Sequence, residues 1–148
     1  HFLEGFRTTV LRQTLFAEFE RESHAMCEAG KPLTAQSLSA VYKELISKYY
    51  EGAEINDIMQ YEWAYIPHFY RAFYVYQYAP GFSSAVAIAG KIAEGGDPAD
   101  YLKFLTTGGS DYPLEELKIA GVDLTKPETV RDAMKIFDET VDELAKLI

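Results

Sequence analysis

Cysteine is almost missing: the 148 residues include one, Cys27. A lone cysteine excludes an intrachain disulfide, and no CxxC or paired Cys/His spacing offers a thiolate metal site. A reducing, cytoplasmic setting is the simplest expectation. Histidine is nearly as scarce, with only His1, His24 and His68, and none belongs to an HExxH pair that would set two zinc ligands one turn apart. Basic residues are outnumbered, 14 Lys and Arg against 23 Asp and Glu, for a formal charge of −9. Such a balance argues against a polyanionic partner, whether nucleic acid or an anionic membrane. No apolar stretch approaches the roughly 20 residues of a membrane-spanning helix. GxSxG, P-loop and dinucleotide fingerprints are all missing, and GGS at 108–110 reads as a turn.

The start of the chain also lacks something. HFLEGFRTTVLRQTLFAEFE enters a helical pattern with no initiator Met, no Ser, Thr, Asp or Asn cap, and no signal peptide. A processed terminus or an uncapped, frayed helix gives the same pattern; the favoured expectation is the C-terminal piece of a longer polypeptide. At 148 residues with 48% apolar composition, one well-buried core and a single helical domain over residues 1–148 are expected.

What is present is helical periodicity. Apolar residues recur at Phe2, Phe6, Val10, Leu15, Phe16 and Phe19, predicting a helix from Phe2 to about Glu28 that Gly30 and Pro32 stop. Thr34 is expected to cap a second helix carrying Leu38, Val41, Leu45 and Ile46, ending near Gly52. A third is expected to enter near Pro67, bend at Pro80–Gly81 and continue through SSAVAIAGKIAEGG, whose small residues would admit a close neighbour. Asp97–Pro98 open a short helix; GGSDYP precedes another, capped by Ser110 or Asp111 with Pro113 in its first turn. Asp123 or Thr125, then Pro127, open the last. No strand pair or internal repeat is visible, so the expected fold is an all-α helical bundle. Glu20 and His24 stand one turn apart, but a di-iron bundle needs two Glu-x-x-His units, so this is read as a surface pair.

Ten of the twenty-one aromatic residues fall within Tyr61–Phe82. A helix built only to pack would use Leu, Ile and Val. Six tyrosines bring six hydroxyls that need partners when desolvated. At 100° per residue, His68, Arg71, Val75 and Tyr78 share one face, with Tyr74 and Tyr70 on its flank, while Phe69, Phe73 and Tyr76 face a core. Tyrosine hydroxyls and an imidazole N–H can donate to an oxyanion, and Arg71 can hold a carboxylate or carbonyl. A structural alternative, an aromatic core helix with its hydroxyls bonded to backbone, fits the same pattern.

Three collinear blocks, HFLEGFRTTVLRQTLFAEFE, IPHFYRAFYVYQYAPGFSSAVA and GGSDYPLEELKIAGVDLT, resemble the C-terminal part of the oligoendopeptidase F family, which belongs to the thimet-oligopeptidase-like zinc metallopeptidases. The resemblance implies a C-terminal subdomain of a larger, mostly helical peptidase whose zinc ligands, HExxH and a downstream glutamate, lie before His1. It also implies that His68 and Tyr78 are catalytic, donating hydrogen bonds to the scissile carbonyl and its tetrahedral intermediate, with Tyr74 and Tyr76 as fallback donors. Tyr70, Arg71, Tyr74 and Tyr76 are expected to bind substrate. Oligopeptides and the N-terminal remainder of the same polypeptide are the expected partners. No residue of this segment is expected to bind metal, and by itself it is expected to be inactive. The rival expectation is a non-enzymatic helical module whose aromatic groove holds a peptide or partner helix.

Overall fold

The computed structural model describes all 148 residues, and the backbone is helical with no strands. The helices are α1 (Phe2–Phe6), α2 (Arg12–Glu28), α3 (Ala35–Tyr49), α4 (Tyr78–Ala93), α5 (Ala99–Leu105), α6 (Pro113–Ile119) and α7 (Glu128–Ala145). A π-turn over Arg7–Leu11 joins α1 to α2, so helical backbone runs from Phe2 to Glu28 as the apolar spacing predicts. Three 3₁₀ segments, Asp57–Tyr65, Pro67–Tyr70 and Val75–Gln77, fill the stretch between α3 and α4. The chain divides into two compact units, one of Arg7–Ala79 and one of His1–Phe6 with Pro80–Ile148.

In the Arg7–Ala79 unit, α2 and α3 pack through Leu15, Phe16, Phe19, Tyr42, Leu45 and Ile46, and Ile66 and Val75 of the aromatic run complete the same core. Gly30 leaves α2 at φ 70°, a conformation glycine adopts without a Cβ penalty. Thr34 caps α3 as expected: its hydroxyl accepts the Ser37 N–H at 3.1 Å, while the Ser37 hydroxyl accepts the Thr34 N–H at 2.9 Å. Three polar side chains beside this core are tied together or to a neighbour. Tyr42 donates its hydroxyl to Glu62 at 2.6 Å, Glu62 is also bonded to Arg12, and Trp63 donates to Ser39 at 3.0 Å. Burial, then the Glu62 carboxylate, pushes the Tyr42 phenol far above its ordinary pKa.

The other unit has two apolar centres. Phe6 is fully buried, stacked on Phe137 with ring centroids 4.6 Å apart and edge-on to Phe82 at 5.6 Å. Ile88, Ala120 and Val122 form the second, with Ile92, Tyr101, Phe104 and Leu117 around them. Pro80 does not bend α4. It sits in the first turn, where its missing N–H removes no intrahelical bond, so the expected bend at Pro80–Gly81 is replaced by continuous helix through Ala93. The small-residue stripe does admit a neighbour: a Cβ on Gly90 would lie 3.6 Å from Ile136 of α7.

The residues just before α5, α6 and α7 are Pro98, Tyr112 and Pro127, and none caps its helix with a side chain. The expected Ser110 or Asp111 cap on α6 is thus not formed, while Asp97 and Asp123 stand at the expected starts. Asp97 accepts the Ala99 N–H at 2.9 Å ahead of α5. Tyr112 occupies the position before α6, and the GGSDYP loop is held by buried Glu116, which accepts the Asp111 N–H at 3.2 Å. Before α7, Asp123 accepts both the N–H and the hydroxyl of Thr125, at 3.0 and 2.6 Å. Those bonds lower its pKa to about 2.

The two units rest on different phenylalanines. Phe6→Ala and Phe16→Ala, each removing a fully buried ring, should each destabilise the protein by about 3–5 kcal/mol. Urea unfolding monitored by circular dichroism measures this, and a loss below about 1 kcal/mol at either site is incompatible with the packing described.

Candidate functional site

The aromatic run does not form the expected α-helix. Pro67 opens a 3₁₀ turn that ends at Tyr70, Arg71 takes an extended conformation, and Phe73 stands at φ 56°, the sole non-glycine residue with positive φ. Tyr74 then leads into the 3₁₀ turn Val75–Gln77 and so into α4, whose first residue is Tyr78. A face counted at 100° per residue therefore does not exist between residues 68 and 78. Val75, expected on the donor face, is fully buried in the core, while Phe73 and Tyr76, expected in the core, are 50% and 56% exposed. Aromatic and β-branched residues have only modest helix propensity. Tertiary contacts of Phe69 and Val75 with the α2–α3 core outweigh it.

The broken path nonetheless brings four of the expected residues together. The His68 ring stacks on Tyr74, centroids 5.7 Å apart and planes 7° apart, and meets Tyr78 edge-on at 5.9 Å. The Tyr74 and Tyr78 hydroxyls are hydrogen-bonded at 3.1 Å, and the Arg71 guanidinium lies over the Tyr74 ring, 4.7 Å from its centre. Nδ1 of His68 is enclosed without a hydrogen-bond partner, so any ligand contact of this ring runs through Nε2. Tyr70 and Tyr76 make none of these ring contacts; Tyr70 is 84% exposed.

Electrostatics favour the protonated form of Tyr78. The hydrogen bond with Tyr74 raises the Tyr78 pKa above the ordinary tyrosine value, burial and Tyr74's charge add to the rise, and nearby Arg71 opposes it. A neutral phenol can donate one hydrogen bond while accepting another. In this pair, Tyr74 can donate to Tyr78 and Tyr78 can donate outward.

Glu20 belongs to this region and not to the surface. Its side chain is buried, and Oε1 accepts the Phe73 N–H at 2.6 Å. His24 packs its ring on Phe73, centroids 4.5 Å apart. The expected Glu20–His24 surface pair is thus replaced by a shared grip on Phe73. One signal was legible: Glu20 continues the stripe of Leu15, Phe16 and Phe19, where a carboxylate faces burial and needs a donor.

No group of three His, Cys, Asp or Glu side chains is arranged to hold a metal ion. Cys27 is free and exposed, and no helix is long and apolar enough to cross a membrane. In the unit containing α5 and α6, a cavity of about 400 Å³ is lined by Ser84, Ile88, Ile92, Tyr101, Phe104 and Leu117 among others. Its walls are mostly apolar, without paired acid and base groups.

Known proteins align with this chain from end to end. The family model for Peptidase family M3 matches residues 1–136. The chain is similar to oligopeptidase PepF of Bacillus subtilis (strain 168), 48% identical across 100% of this chain and 22% of the relative. It is similar to group B oligopeptidase PepB of Streptococcus agalactiae, 45% identical across 100% of this chain and 25% of the relative. The crystal structure of oligoendopeptidase-F from Enterococcus faecium matches with a TM-score of 0.95 at 47% identity, over 99% of this chain and 29% of that one. The chain therefore spans about a quarter of the length of the curated relatives it matches. With the family pattern running through all but the last residues, the chain belongs to peptidase family M3.

Proposed function

We propose that this chain is the C-terminal part of the catalytic domain of a zinc oligoendopeptidase, and that His68 and Tyr78 stabilise the oxyanion formed when a peptide carbonyl is attacked by water. The observation that carries this reading is the 3.1 Å bond between the Tyr74 and Tyr78 hydroxyls beside the His68 ring. Hydration of a peptide carbonyl converts its oxygen from a neutral acceptor into an anion, so donors aimed there bind the transition state more strongly than the substrate. Tyr78 donates its O–H to that oxygen while accepting from Tyr74, a relay in which each bond polarises the next. His68, edge-on to Tyr78, supplies the second donor from Nε2. Arg71, held over the Tyr74 ring, binds a carboxylate or carbonyl of the peptide, and exposed Tyr70 and Tyr76 add wall for its side chains.

The metal belongs elsewhere in the polypeptide. The imidazoles, carboxylates and thiol of these residues do not fit a zinc site, and we assign zinc to residues of the same polypeptide outside this chain. Oligopeptides are the proposed substrates, in keeping with the names of the relatives. The formal charge of −9 and the lone free cysteine favour a cytoplasmic enzyme over one that binds nucleic acid or membrane.

In the full-length enzyme, Tyr78→Phe should lower kcat by roughly 10²–10³, a loss of ~2.7–4 kcal/mol of transition-state stabilisation, with modest change in KM. Wild-type kcat in that variant removes Tyr78 from the role. Tyr78 must be protonated to donate, and its pKa is raised, so its contribution is complete at neutral pH. The contribution is lost only as pH rises past the ordinary tyrosine value of about 10. Tyr74→Phe removes the largest cause of the rise and should move this alkaline limb downward in a pH–kcat profile; an unmoved limb contradicts the hydroxyl relay. The 148-residue segment alone should neither hold stoichiometric zinc nor cleave peptides. Metal analysis with a cleavage assay checks both, and tight zinc with turnover refutes the division of labour.

A further inference from the structure

The donor pair is built on a backbone that needs outside support. Tyr74 reaches His68 and Tyr78 because the chain reverses at Phe73, whose φ of 56° is one that L side chains rarely adopt. A bulky aromatic residue in this region is strained, and such strain persists only where surrounding structure over-determines it. Two groups of α2 do so here. Buried Glu20 accepts the Phe73 N–H at 2.6 Å, and His24, one turn later, packs against the Phe73 ring. The Phe73 N–H has no place in a helical ladder at this break, and a backbone donor must be matched somewhere. Phe73 adjoins Tyr74 in the chain, so the same bond sets where Tyr74 begins.

We propose that Glu20 is a positioning residue for the Tyr74–Tyr78 donor pair, an inference that rests on the catalytic role assigned to that pair above. The Glu20 carboxylate is hydrogen-bonded to the Phe73 N–H, whereas the two tyrosine hydroxyls are bonded to each other. It fixes the left-handed turn at Phe73, and that turn places the Tyr74 ring on His68 and its hydroxyl on Tyr78. Glu20 is 53 positions away from Phe73 in the chain, so the donor pair is set by a helix that contributes no group to it. Small misplacements at an active site, caused by changes away from the chemistry, can cost about 10²-fold in rate.

The test uses the full-length enzyme with Glu20→Leu, which keeps an apolar-filled site but removes the acceptor. With KM little changed, kcat should fall by roughly 10². Phe73→Gly added to Glu20→Leu should return much of that loss, because glycine adopts positive φ without the strain the carboxylate offsets. A folded Glu20→Leu enzyme with wild-type kcat, a loss confined to KM, or a loss that Phe73→Gly leaves untouched would overturn the proposal. If Glu20→Leu alone does not fold, the double variant decides: recovered folding and turnover support the proposal, and no recovery overturns it. Tyr78→Phe measured in parallel separates the two claims. If Tyr78→Phe is slow and Glu20→Leu is not, Glu20 alone is misassigned. If Tyr78→Phe is fully active, the site reading falls and the role of Glu20 falls with it.

Discussion

One hydrogen bond organises the aromatic half of the Arg7–Ala79 unit: the bond from the Phe73 N–H to the Glu20 carboxylate. A buried carboxylate is expensive without a donor, and a backbone N–H outside a helix is expensive without an acceptor. Each resolves the other's cost. With that bond made, the chain can stop its 3₁₀ turn at Tyr70, reverse at Phe73, and still deliver Val75 to the core and Tyr78 to the start of α4. A continuous helix would bury different residues and separate Tyr74 from the stacking position it holds on His68.

The core that supports this turn is itself aromatic. Phe16 and Phe19 meet Phe69, Tyr42 and Trp63 in stacked, edge-on and tilted contacts between 5.1 and 6.4 Å, geometries open to the quadrupoles of the rings. Their polar handles are matched by Glu62 and Ser39. Tyrosine and tryptophan therefore serve two purposes in one segment. Some are core residues with a satisfied polar tip, and others, Tyr74 and Tyr78, pair their hydroxyls beside the His68 ring. The division follows the path of the chain more than residue type: Tyr74 and Tyr76 are two positions apart, and only Tyr74 joins the donor cluster.

Membership of peptidase family M3 and a TM-score of 0.95 to an oligoendopeptidase-F give the cluster its chemical context. No three His, Cys, Asp or Glu side chains of the chain are grouped as a metal site would need, and the chain spans about a quarter of its curated relatives. Under the proposed division of labour, this part of the enzyme shapes the charge distribution around the reacting carbonyl. A preorganised pair of donors needs no reorganisation at the moment of reaction, which is why a rigid aromatic scaffold suits it better than a loop.

Much of the architecture was legible from residue pattern. Helix boundaries at Gly30, Thr34 and Pro113, the apolar stripes of α2 and α3, and the absence of strands all follow from local propensity and periodicity, which act over a few residues. The proximity of His68, Arg71, Tyr74 and Tyr78 was also anticipated, but through a helical face that the structure does not contain. Only the tertiary structure decided that Phe73 turns left-handed, that Val75 goes inward and Tyr76 outward, and that Glu20 is buried. Those outcomes depend on a donor and an acceptor far apart in the chain. Residue pattern records which groups need partners, and only packing determines which partners they meet.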